Sequence, residues 1–413
     1  MSGIGIIGSG VSALHLGLYL RAHDVPVTIY SDRTPEQIED ARLLNTVAHH
    51  HHTLERERAL GVHHWDAAEH GYACHHHYIN GPNLRFQGDF ENPSMVIDYR
   101  MYLPRLMRDF QDRGGDLVVG ATPEAADVER VSNDHDLIVV AVGRGSIGGM
   151  FRRRPERSPY DRPQRRLCVG LFHGITRTKP VGVSLCISPG NGELLELPIL
   201  TREGPATALL FENIPGGATE KLVDMSVEDD IPGFERAVLE ILDEHYAWVA
   251  ERVDRGSFRL MGPKDVLQGA LTPVVREDYV RLSSGKYALA MGDTHVVVDP
   301  IIGQGANSAS YSAWKVGERI VTDFAFDERF CQSVAKAREE RVMGISDFTN
   351  TMLNPPPHVM ELIMAMAENR ALCDAFSANW DRPERNADAT ATPERTRAFM
   401  ARHTAGSPAL TGA

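Results

Sequence analysis

The chain has 413 residues, of which 42% are hydrophobic and 24% charged, and this is the composition of a globular protein with length for one large or two ordinary domains. Its formal net charge of −13, from 56 acidic against 43 basic residues, argues against nucleic acid or an anionic membrane as the main partner. The sequence shows neither an apolar run long enough to span a bilayer nor a secretory signal, so we expect a cytoplasmic protein.

The first predicted elements are a strand, a tight turn, a helix and a second strand. A short apolar run leads into Gly8-x-Gly10-x-x-Ala13, and an apolar-periodic segment and a β-branched run follow. In such a unit the first glycine permits the turn, the second lets the backbone approach a pyrophosphate, and the third small residue allows close helix packing. Asp32 has about the spacing expected of an acid that binds a ribose hydroxyl. We therefore predict a dinucleotide site, with a ligand-free βα turn as the alternative.

Two histidine-rich segments come next. Residues 49–52 are four consecutive histidines, and because neighbouring residues of a strand or helix point in different directions they cannot all face one metal. We favour a surface or pocket-lining run. Residues 72–78 predict a strand with His75 and His77 on one face, as a pocket wall or as a solvated sheet face. The five cysteines are scattered and form no CxxC pair, so we predict neither a disulfide framework nor a metal site.

The middle of the chain adds a helix, a buried strand and a second glycine motif. Asp98 is the predicted N-cap of an amphipathic helix, which Pro104 should either delay or kink. The apolar run 136–142 predicts a strand buried on both faces of a parallel sheet. Gly143-x-Gly145-x-x-Gly148 then matches the glycine pattern, but no amphipathic helix or second βαβ unit follows it. We interpret it as a loop beside the first turn, so the chain has one dinucleotide site rather than separate flavin and nicotinamide sites.

Beyond residue 160 the pattern changes and later returns. Short alternating runs between 165 and 212 predict an antiparallel sheet, and 229–253 predicts a helix. A further strand ends just before Asp293, whose carboxylate can accept hydrogen bonds from sugar-like hydroxyls. The loop Gly303-x-Gly305 then opens a helix whose free N–H groups can hold an anionic ligand group, with a plain βα loop as the alternative.

Four segments carry a specific resemblance to a known family: Arg42-Leu-Leu-Asn-Thr-Val-Ala-His49, Asp98-Tyr-Arg100, Arg166-Leu-Cys-Val-Gly-Leu-Phe172 and Val298-Asp-Pro-Ile-Ile-Gly-Gln-Gly-Ala-Asn307. With the glycine loops, they resemble the epoxidase subunit of the two-component styrene monooxygenase family, from residue 3 to about residue 385. The resemblance implies that the protein takes reduced FAD as a co-substrate from a separate NADH-dependent flavin reductase. It further implies that oxygen reacts to a flavin hydroperoxide, which epoxidises styrene-type alkenes to styrene oxide. Oxidation of indole and aryl sulfides and a homodimer are also implied.

The predicted fold is α/β, with a single Rossmann-like FAD-binding domain, an inserted antiparallel β-sheet substrate domain and C-terminal helices. The expected boundaries are 1–160 for the first part of the FAD-binding domain with pocket segments at 42–100, 161–280 for the substrate domain, 281–330 for the return of the FAD-binding domain, 331–385 for the C-terminal helices and 386–413 for a flexible tail.

The predicted site residues come from the glycine loops and from the resemblance. The cofactor set is Gly8, Gly10, Ala13, Asp32, Arg33, Arg42, Leu44, Asn45, Arg100, Gly143, Asp293, Pro300, Gly303, Gly305, Ala306 and Asn307. Within it, Arg42 is expected at the pyrophosphate, Asp32 at the adenosine ribose and Asp293 at the ribityl chain. The substrate set is Val47, His49, Tyr72, His75 and Ser94, and the residues expected to position the reacting groups are Asn45, Thr46 and His49.

Several alternatives stay open. An indole-preferring member of the same family would differ at positions 45, 47, 49, 72 and 75, where this sequence carries the set associated with styrene. A halogenase-like oxidant would need a tunnel lysine and a Trp-x-Trp-x-Ile-Pro segment, whereas the four tryptophans here are far apart. A single-component hydroxylase would oxidise NADH unaided. A flavin-fold binding protein without catalysis is the alternative from a different class.

Overall fold

The structure is a computed structural model that describes residues 3–120, 124–143, 146–323 and 325–404. Its strands are β1 Ile4–Ile7, β2 Val27–Ser31, β3 Ala48–His49, β4 Tyr72–Ile79, β5 Leu84–Ile97, β6 Asp116–Val119, β7 Leu137–Val140, β8 Arg166–His173, β9 Val183–Ser188, β10 Gly192–Thr201, β11 Gly204–Asn213, β12 Arg259–Leu260, β13 Val266–Ala270, β14 Val274–Val275, β15 Tyr279–Arg281, β16 Tyr287–Ala290 and β17 Val296–Val297.

The helices are α1 Val11–Ala22, α2 Pro35–Glu39, α3 His51–Ala59, α4 Ala67–His70, α5 Tyr99–Asp112, α6 Ala125–Val131, α7 Lys221–Asp224, α8 Ile231–His245, α9 Ala247–Ala250, α10 Gly305–Thr322, α11 Glu328–Leu353, α12 Pro357–Glu368, α13 Arg370–Ala378, α14 Pro383–Thr390 and α15 Pro393–Thr404. In the parts of the chain that the structure describes, none of them is long and apolar enough to cross a bilayer.

The first sheet is the predicted parallel one. Over the described residues it has six strands in the order β15-β16-β7-β1-β2-β6, and only β15 pairs antiparallel to its neighbour. β1 and β7 are buried along their whole length, as strands covered on both faces should be. β1 lies between β2 and β7, so the strand order reverses at β1. Doubly wound sheets bind ligands at the carboxyl ends of the strands where the order reverses. The predicted α/β class is confirmed.

The second sheet is larger and draws on two separate stretches of chain. Its strands, counted over the described residues, follow the order β12-β8-β11-β10-β9-β4-β5-β3, with β13 also paired to β8. Most neighbours are antiparallel, but β4 pairs parallel to β9 and β10 parallel to the end of β5. The segments at 42–100 that we expected as part of the FAD-binding domain therefore supply β3, β4 and β5 to this sheet. No local sequence signal marks these long-range pairings.

Helix α5 shows how the chain tolerates an internal proline. Asp98 is its N-cap, as predicted, because Oδ1 accepts a hydrogen bond from the Arg100 N–H at 2.8 Å. The helix begins at once and includes Pro104, so the delayed start that we considered is wrong. Proline has no N–H and leaves the carbonyl four residues earlier without its helical donor. Arg202 replaces that donor, with Nη2 lying 3.0 Å from the Arg100 carbonyl oxygen.

The C-terminal helices continue beyond residue 385. Phe399 of α15 is buried, and its ring centroid lies 6.4 Å from that of Phe376 in α13. Pro393 is the first residue of α15, a position where its missing N–H is harmless. The flexible tail predicted for 386–413 is therefore wrong over 386–404, because Ala389 and Phe399 pack into the core of the C-terminal helices. Residues 405–413 lie outside the described residues.

Candidate active site

The glycines at the carboxyl ends of β1 and β7 differ in what surrounds them. Gly8, at φ +112°, lies against β7, where an added Cβ would come within 2.2 Å of the Ala141 carbonyl oxygen. Strand packing therefore demands a glycine there. At Gly10 and Gly143, by contrast, an added Cβ would meet none of the described atoms within 4 Å. Open space beside the N-terminal N–H groups of α1 fits a pyrophosphate.

The second glycine loop has the same open character. Gly303, at φ +60°, and Gly305 would each place a Cβ more than 4 Å from any atom of the described residues. Gly305 begins α10, three residues earlier than we expected, so its first N–H groups face the same space. The Thr294 hydroxyl accepts a hydrogen bond from the Val142 N–H at 3.1 Å and ties the turn after β16 to the loop that contains Gly143. We call Gly10, Gly143, Gly303 and Gly305 the glycine cradle.

Two charged residues predicted at the cofactor lie beside β2 or beyond it. Asp32 follows the last residue of β2, and its exposed carboxylate lies 3.5 Å from Arg33 Nε. That is where an acid for a ribose hydroxyl is expected. Arg42 is instead ion-paired with Glu228, before α8. Its predicted pyrophosphate role would require it to leave this pair.

Arg100 has a role different from the one predicted. Its guanidinium is largely buried and donates to Asp98 Oδ2 and Asp265 Oδ1, both at 2.6 Å. A guanidinium already satisfied by two carboxylates joins α5 to the loop before β13 rather than waiting for a phosphate. We therefore withdraw Arg100 from the cofactor set.

Asp293 follows β16 in a short turn and is half-buried. Arg276 Nη1 donates to its backbone carbonyl at 3.1 Å. Burial raises the pKa of Tyr99 well above its ordinary value, and the charges of Glu57 and Asp293 add to that rise. The Asp293 carboxylate therefore lies close enough to Tyr99 to act on its hydroxyl, and its contact with the ribityl chain stays a prediction.

Two buried carboxyl groups support the loop that contains Pro300. Asp299 caps the turn Pro300–Ile302, its Oδ1 accepting a hydrogen bond from the Ile301 N–H at 3.2 Å. Glu212 of β11 is fully buried against it. Burial, and then the neighbouring Asp299 carboxyl, raise the pKa of Glu212 well above its ordinary value, and burial also raises the pKa of Asp299. The pair therefore holds a shared proton beneath the loop.

Asn307 and Ala306, in the first turn of α10, contact the elements that surround the site. The Asn307 amide donates to the Ala48 carbonyl at 2.8 Å, and its oxygen accepts from the His50 N–H at 3.0 Å and from the Thr53 hydroxyl at 2.7 Å. Its side chain thus joins α10 to β3 and α3, and the cofactor contact predicted for Asn307 stays a prediction. Ala306 is buried in the core around α1.

His49 is the centre of a buried hydrogen-bond network. Its Nδ1 lies 2.7 Å from Glu57 Oε1 and its Nε2 2.7 Å from the Tyr99 hydroxyl. The Tyr102 hydroxyl donates to the same Glu57 oxygen at 2.7 Å and lies 2.7 Å from His15 Nε2. Burial would raise the pKa of Glu57, but the charge and hydrogen bond of His49 bring it below its ordinary value. The substrate and catalytic contacts predicted for His49 are therefore wrong: its ring is enclosed in the core.

The residues just before His49 are only partly strand-like. The Asn45 side chain turns back to accept a hydrogen bond from the Val47 N–H at 3.3 Å. Val47 packs beside Leu44 against the core around α1, whereas Ala48 packs into the second sheet. Thr46 is buried. Because β3 has only two residues, Ala48 and His49, the alternation of a strand does not extend back to Asn45.

Three predicted substrate residues do meet, in a buried cluster of aromatic rings beside a narrow cleft that Ser94, Phe90 and Trp380 line. Tyr72 lies opposite Ser94 in the pairing of β4 with β5. The His75 ring centroid lies 4.5 Å from that of Phe90 and 4.7 Å from that of Trp380, edge-on to both. Burial lowers the pKa of His75 well below its ordinary value, and nearby histidines lower it further. The His75 ring is therefore neutral at the pH of the cell.

Sequence reasoning missed three residues of this cavity. His50 Nδ1 lies 2.8 Å from Ser94 Oγ, and its ring centroid lies 6.3 Å from that of Phe90. Trp380 arrives from the far end of the chain, which no local pattern could reveal. The alternation after β3 could have identified His50, because it must point opposite to His49. We call His50, Tyr72, His75, Phe90 and Trp380 the aromatic cavity.

The aromatic cavity adjoins both the glycine cradle and the surface. Trp380 Nε1 donates to the Ile302 carbonyl at 3.0 Å, and Gln304 Nε2 donates to the Trp380 carbonyl at 2.8 Å. A narrow cleft leads outward from it, lined by His50, His51, Phe90, Glu91, Asn92, Ser94, Ser377, Ala378, Trp380 and Asp381. It widens where His52 contacts the Asp381 carboxylate. The four consecutive histidines therefore lie in different surroundings: His49 in the core, His50 and His51 along the narrow cleft, and His52 beside Asp381. Neighbouring side chains of a strand or helix point in different directions, so this separation is expected.

Comparison with known proteins identifies relatives of this chain. Residues 143–252 match the family model described as "Styrene monooxygenase A putative substrate binding domain". The chain is 42% identical over 398 residues to styrene monooxygenase StyA of a Pseudomonas species, covering 95% of this chain and 96% of the relative. The same identity and coverage hold for styrene monooxygenase StyA of Pseudomonas fluorescens.

Solved structures share the fold at low sequence identity. The flavin-dependent brominase Bmp2 superposes with a TM-score of 0.63 at 15% identity, covering 93% of this chain and 97% of that one. PqsL of Pseudomonas aeruginosa, a probable FAD-dependent monooxygenase by its description, gives 0.62 at 15% identity, covering 90% and 98%. These two show the fold, whereas the curated relatives show the family. The chain belongs to the styrene monooxygenase family, whose members are FAD-dependent enzymes.

Proposed function

We propose that this protein is the oxygenase component of a two-component system that epoxidises styrene-type alkenes with reduced FAD and oxygen. A separate NADH-dependent flavin reductase supplies the reduced flavin. The chain offers one glycine cradle on the parallel sheet and, as far as the sequence indicates, no second βαβ unit for a nicotinamide. Delivery of electrons on the flavin itself therefore needs no second site.

The residues present fit FAD. Gly10 and Gly143 leave the backbone open to the pyrophosphate, Asp32 is placed for the adenosine ribose and Asp293 for the ribityl chain. Gly303 and Gly305 leave room for the ring system beside the N-terminus of α10, whose N–H groups favour negative charge. When bound in its reduced form, FAD supplies the oxygen activation and the atom transfer to the alkene.

The side chains of the cavity have the remaining tasks of orienting the alkene and excluding water. Phe90 and Trp380 offer ring edges and faces to an aryl group. Burial lowers the pKa of His50 to about 4, and His75 is neutral as well, so neither ring brings a charge to the cavity at neutral pH. An alkene has no hydrogen-bonding group, and its orientation depends on this shape and on apolar contact.

One observation carries the proposal: the aromatic cavity touches the loop assigned to the flavin ring. Trp380 forms a wall of the cavity and donates to Ile302, directly before Gly303. An aryl alkene held there lies beside the place where oxygen is activated. The reductase partner, a cytoplasmic location with its NADH supply, and the homodimer implied by the family are parts of the same proposal.

The test is product analysis with an added flavin reductase. Purified protein, FAD, NADH and reductase should convert styrene to styrene oxide, with indole and aryl sulfides as slower substrates. Without the reductase, the protein should oxidise essentially no NADH. Pigment from indole at a higher rate than styrene oxide would favour the indole-preferring alternative, and a halogenated product with added halide would favour the halogenase-like one. Flavin binding with no product from any substrate would support the remaining alternative, a flavin-fold binding protein without catalysis.

A further inference from the structure

We propose that His50 gives the aromatic cavity a polar subsite that takes a hydroxyl group carried on the aromatic ring of the substrate. The inference rests on the proposed function, because it names the class of aryl alkene that the cavity prefers: hydroxystyrenes over alkylstyrenes of the same size.

The first observation is a buried nitrogen that lacks a partner. His50 is only 2% exposed, and its Nδ1 lies 2.8 Å from Ser94 Oγ. Its Nε2 has no hydrogen-bond partner within the described residues, although it is shielded from bulk solvent. Leaving such a group unpaired costs about 1–3 kcal/mol. Evolution rarely retains an unpaired buried nitrogen unless a ligand or an ordered water completes it.

The second observation is a small free space that the same residue lines. His50 lines the narrow cleft together with Ser94, Phe90 and Trp380, and the free space there is about 30 Å³. Room of this size accommodates one or two groups as large as a water molecule and no more. A ring substituent of one heavy atom fits this space, and we place the ring itself against Phe90 and Trp380, which line the same cleft. The occupant is therefore small, and the lone nitrogen requires that it form a hydrogen bond.

The third observation concerns charge and tautomer. Burial lowers the pKa of His50 to about 4, so the imidazole is neutral at the pH of the cell. A neutral imidazole has one nitrogen that donates and one that accepts, and the Ser94 hydroxyl can complete either arrangement. A hydroxyl on the substrate can likewise donate or accept at Nε2. A methyl group of the same size can do neither, and it would leave the nitrogen unpaired.

The experiment measures binding of unreactive isosteres to FAD-saturated protein by isothermal titration calorimetry. The ligands are 3- and 4-ethylphenol with 3- and 4-ethyltoluene, which differ only in a hydroxyl against a methyl group. We expect the phenol of at least one pair to bind about tenfold more tightly than its toluene partner, which corresponds to about 1.4 kcal/mol.

Two variants of His50 test the contributions of its two ring nitrogens separately. In His50→Asn the amide replaces Nδ1, keeps the contact with Ser94 and lacks a group at Nε2. In His50→Gln the longer side chain places its amide near Nε2 and loses the Ser94 contact. The hydroxyl preference should fall to about twofold or less in the first variant and persist in the second. Circular dichroism and FAD affinity confirm that both variants fold.

The inference is overturned if wild type shows no preference in either pair, as an ordered water that stays in place would produce, or if His50→Asn keeps the preference. Turnover of styrene with an added reductase is measured alongside. If no epoxide forms, the proposed function is contradicted. The calorimetric comparison of phenols with toluenes then still tests whether His50 binds a hydroxyl group. Epoxide formation without a hydroxyl preference removes the subsite alone.

Discussion

The glycine cradle and the aromatic cavity adjoin each other and are built by opposite means. The cradle consists of positions where a side chain is absent, so that backbone N–H groups and helix N-termini face open space. The cavity consists of large side chains from β4, β5 and the turn after α13, which exclude water and carry no charge. Trp380 connects them through Ile302. The comparison implies that cofactor affinity and substrate preference respond to different substitutions.

The largest effect is expected from two glycines of the same motif. Gly8→Ala forces a Cβ to within 2.2 Å of the Ala141 carbonyl oxygen at φ +112°, so unfolding free energy should fall by about 3 kcal/mol or more. At Gly10 the backbone is extended and an added Cβ meets no described atom, so Gly10→Ala should fold normally. The Cβ would occupy the space assigned to the pyrophosphate, and FAD affinity should fall about a hundredfold. Chemical denaturation and flavin titration measure both. A Gly10→Ala protein with full FAD affinity would contradict the cradle.

Asp293→Ala tests the one predicted side-chain contact within the flavin loops. If its carboxylate holds the ribityl hydroxyls, the loss of a charge-assisted hydrogen bond of roughly 1.5–3 kcal/mol should weaken FAD binding about ten- to a hundredfold. The ratio of kcat/KM for styrene and indole should stay the same, because the aromatic cavity is untouched. Unchanged affinity in a folded variant would show that the ribityl chain is held elsewhere.

Glu212→Gln tests the carboxyl pair beneath the loop. The raised pKa of Glu212 means that the folded protein keeps a proton that the unfolded chain releases above about pH 4.3, so wild type loses stability as pH rises. The loss amounts to about 1.4 kcal/mol for each pH unit over which only the unfolded chain has released the proton. The glutamine keeps the neutral hydrogen-bonding form and should flatten this slope of the unfolding free energy.

A matched control is Glu196→Gln, which removes the charge that pairs with Arg252 at 2.5 Å. Breaking a buried ion pair leaves the arginine uncompensated and should destabilise the protein at every pH from 5 to 8 by about 3–5 kcal/mol. The shared-proton account would be wrong if Glu212→Gln showed the same uniform loss.

The smallest effect is expected where the two regions meet. Trp380→Phe keeps an aromatic ring beside His75 and removes only the donor to the Ile302 carbonyl, which is worth about 1 kcal/mol. FAD affinity and styrene KM should therefore both change by less than about tenfold. A change in one of them alone would show that the cavity and the loop are not linked through this residue.

The sequence predicted local features well. The first βαβ unit, the Asp98 cap and the glycine loops depend on residues close together in the chain, and periodicity and turn chemistry reveal them. The alternation of β4 correctly placed His75 and His77 on one face, where their ring centroids lie 6.1 Å apart.

Features that depend on distant residues could not be predicted. The meeting of His75 with Trp380 joins parts of the chain separated by about 300 residues, and the pairing of β4 with β9 carries no local sign. The enclosure of His49 depends on Glu57 and Tyr99 from two helices. The position of Arg100 between two carboxylates depends in part on Asp265, far along the chain. Burial of polar residues in such networks is set by tertiary packing, which a single sequence does not show.

The measurement that tests the central claim most directly is a single turnover with chemically reduced FAD. Protein and reduced FAD are mixed without oxygen, and aerated buffer containing styrene is then added in the absence of NADH and reductase. The account predicts close to one styrene oxide per reduced FAD bound, with none from oxidised FAD and NADH. Styrene oxide from NADH and FAD without a reductase, or none from reduced FAD in a protein that binds it, would contradict the account.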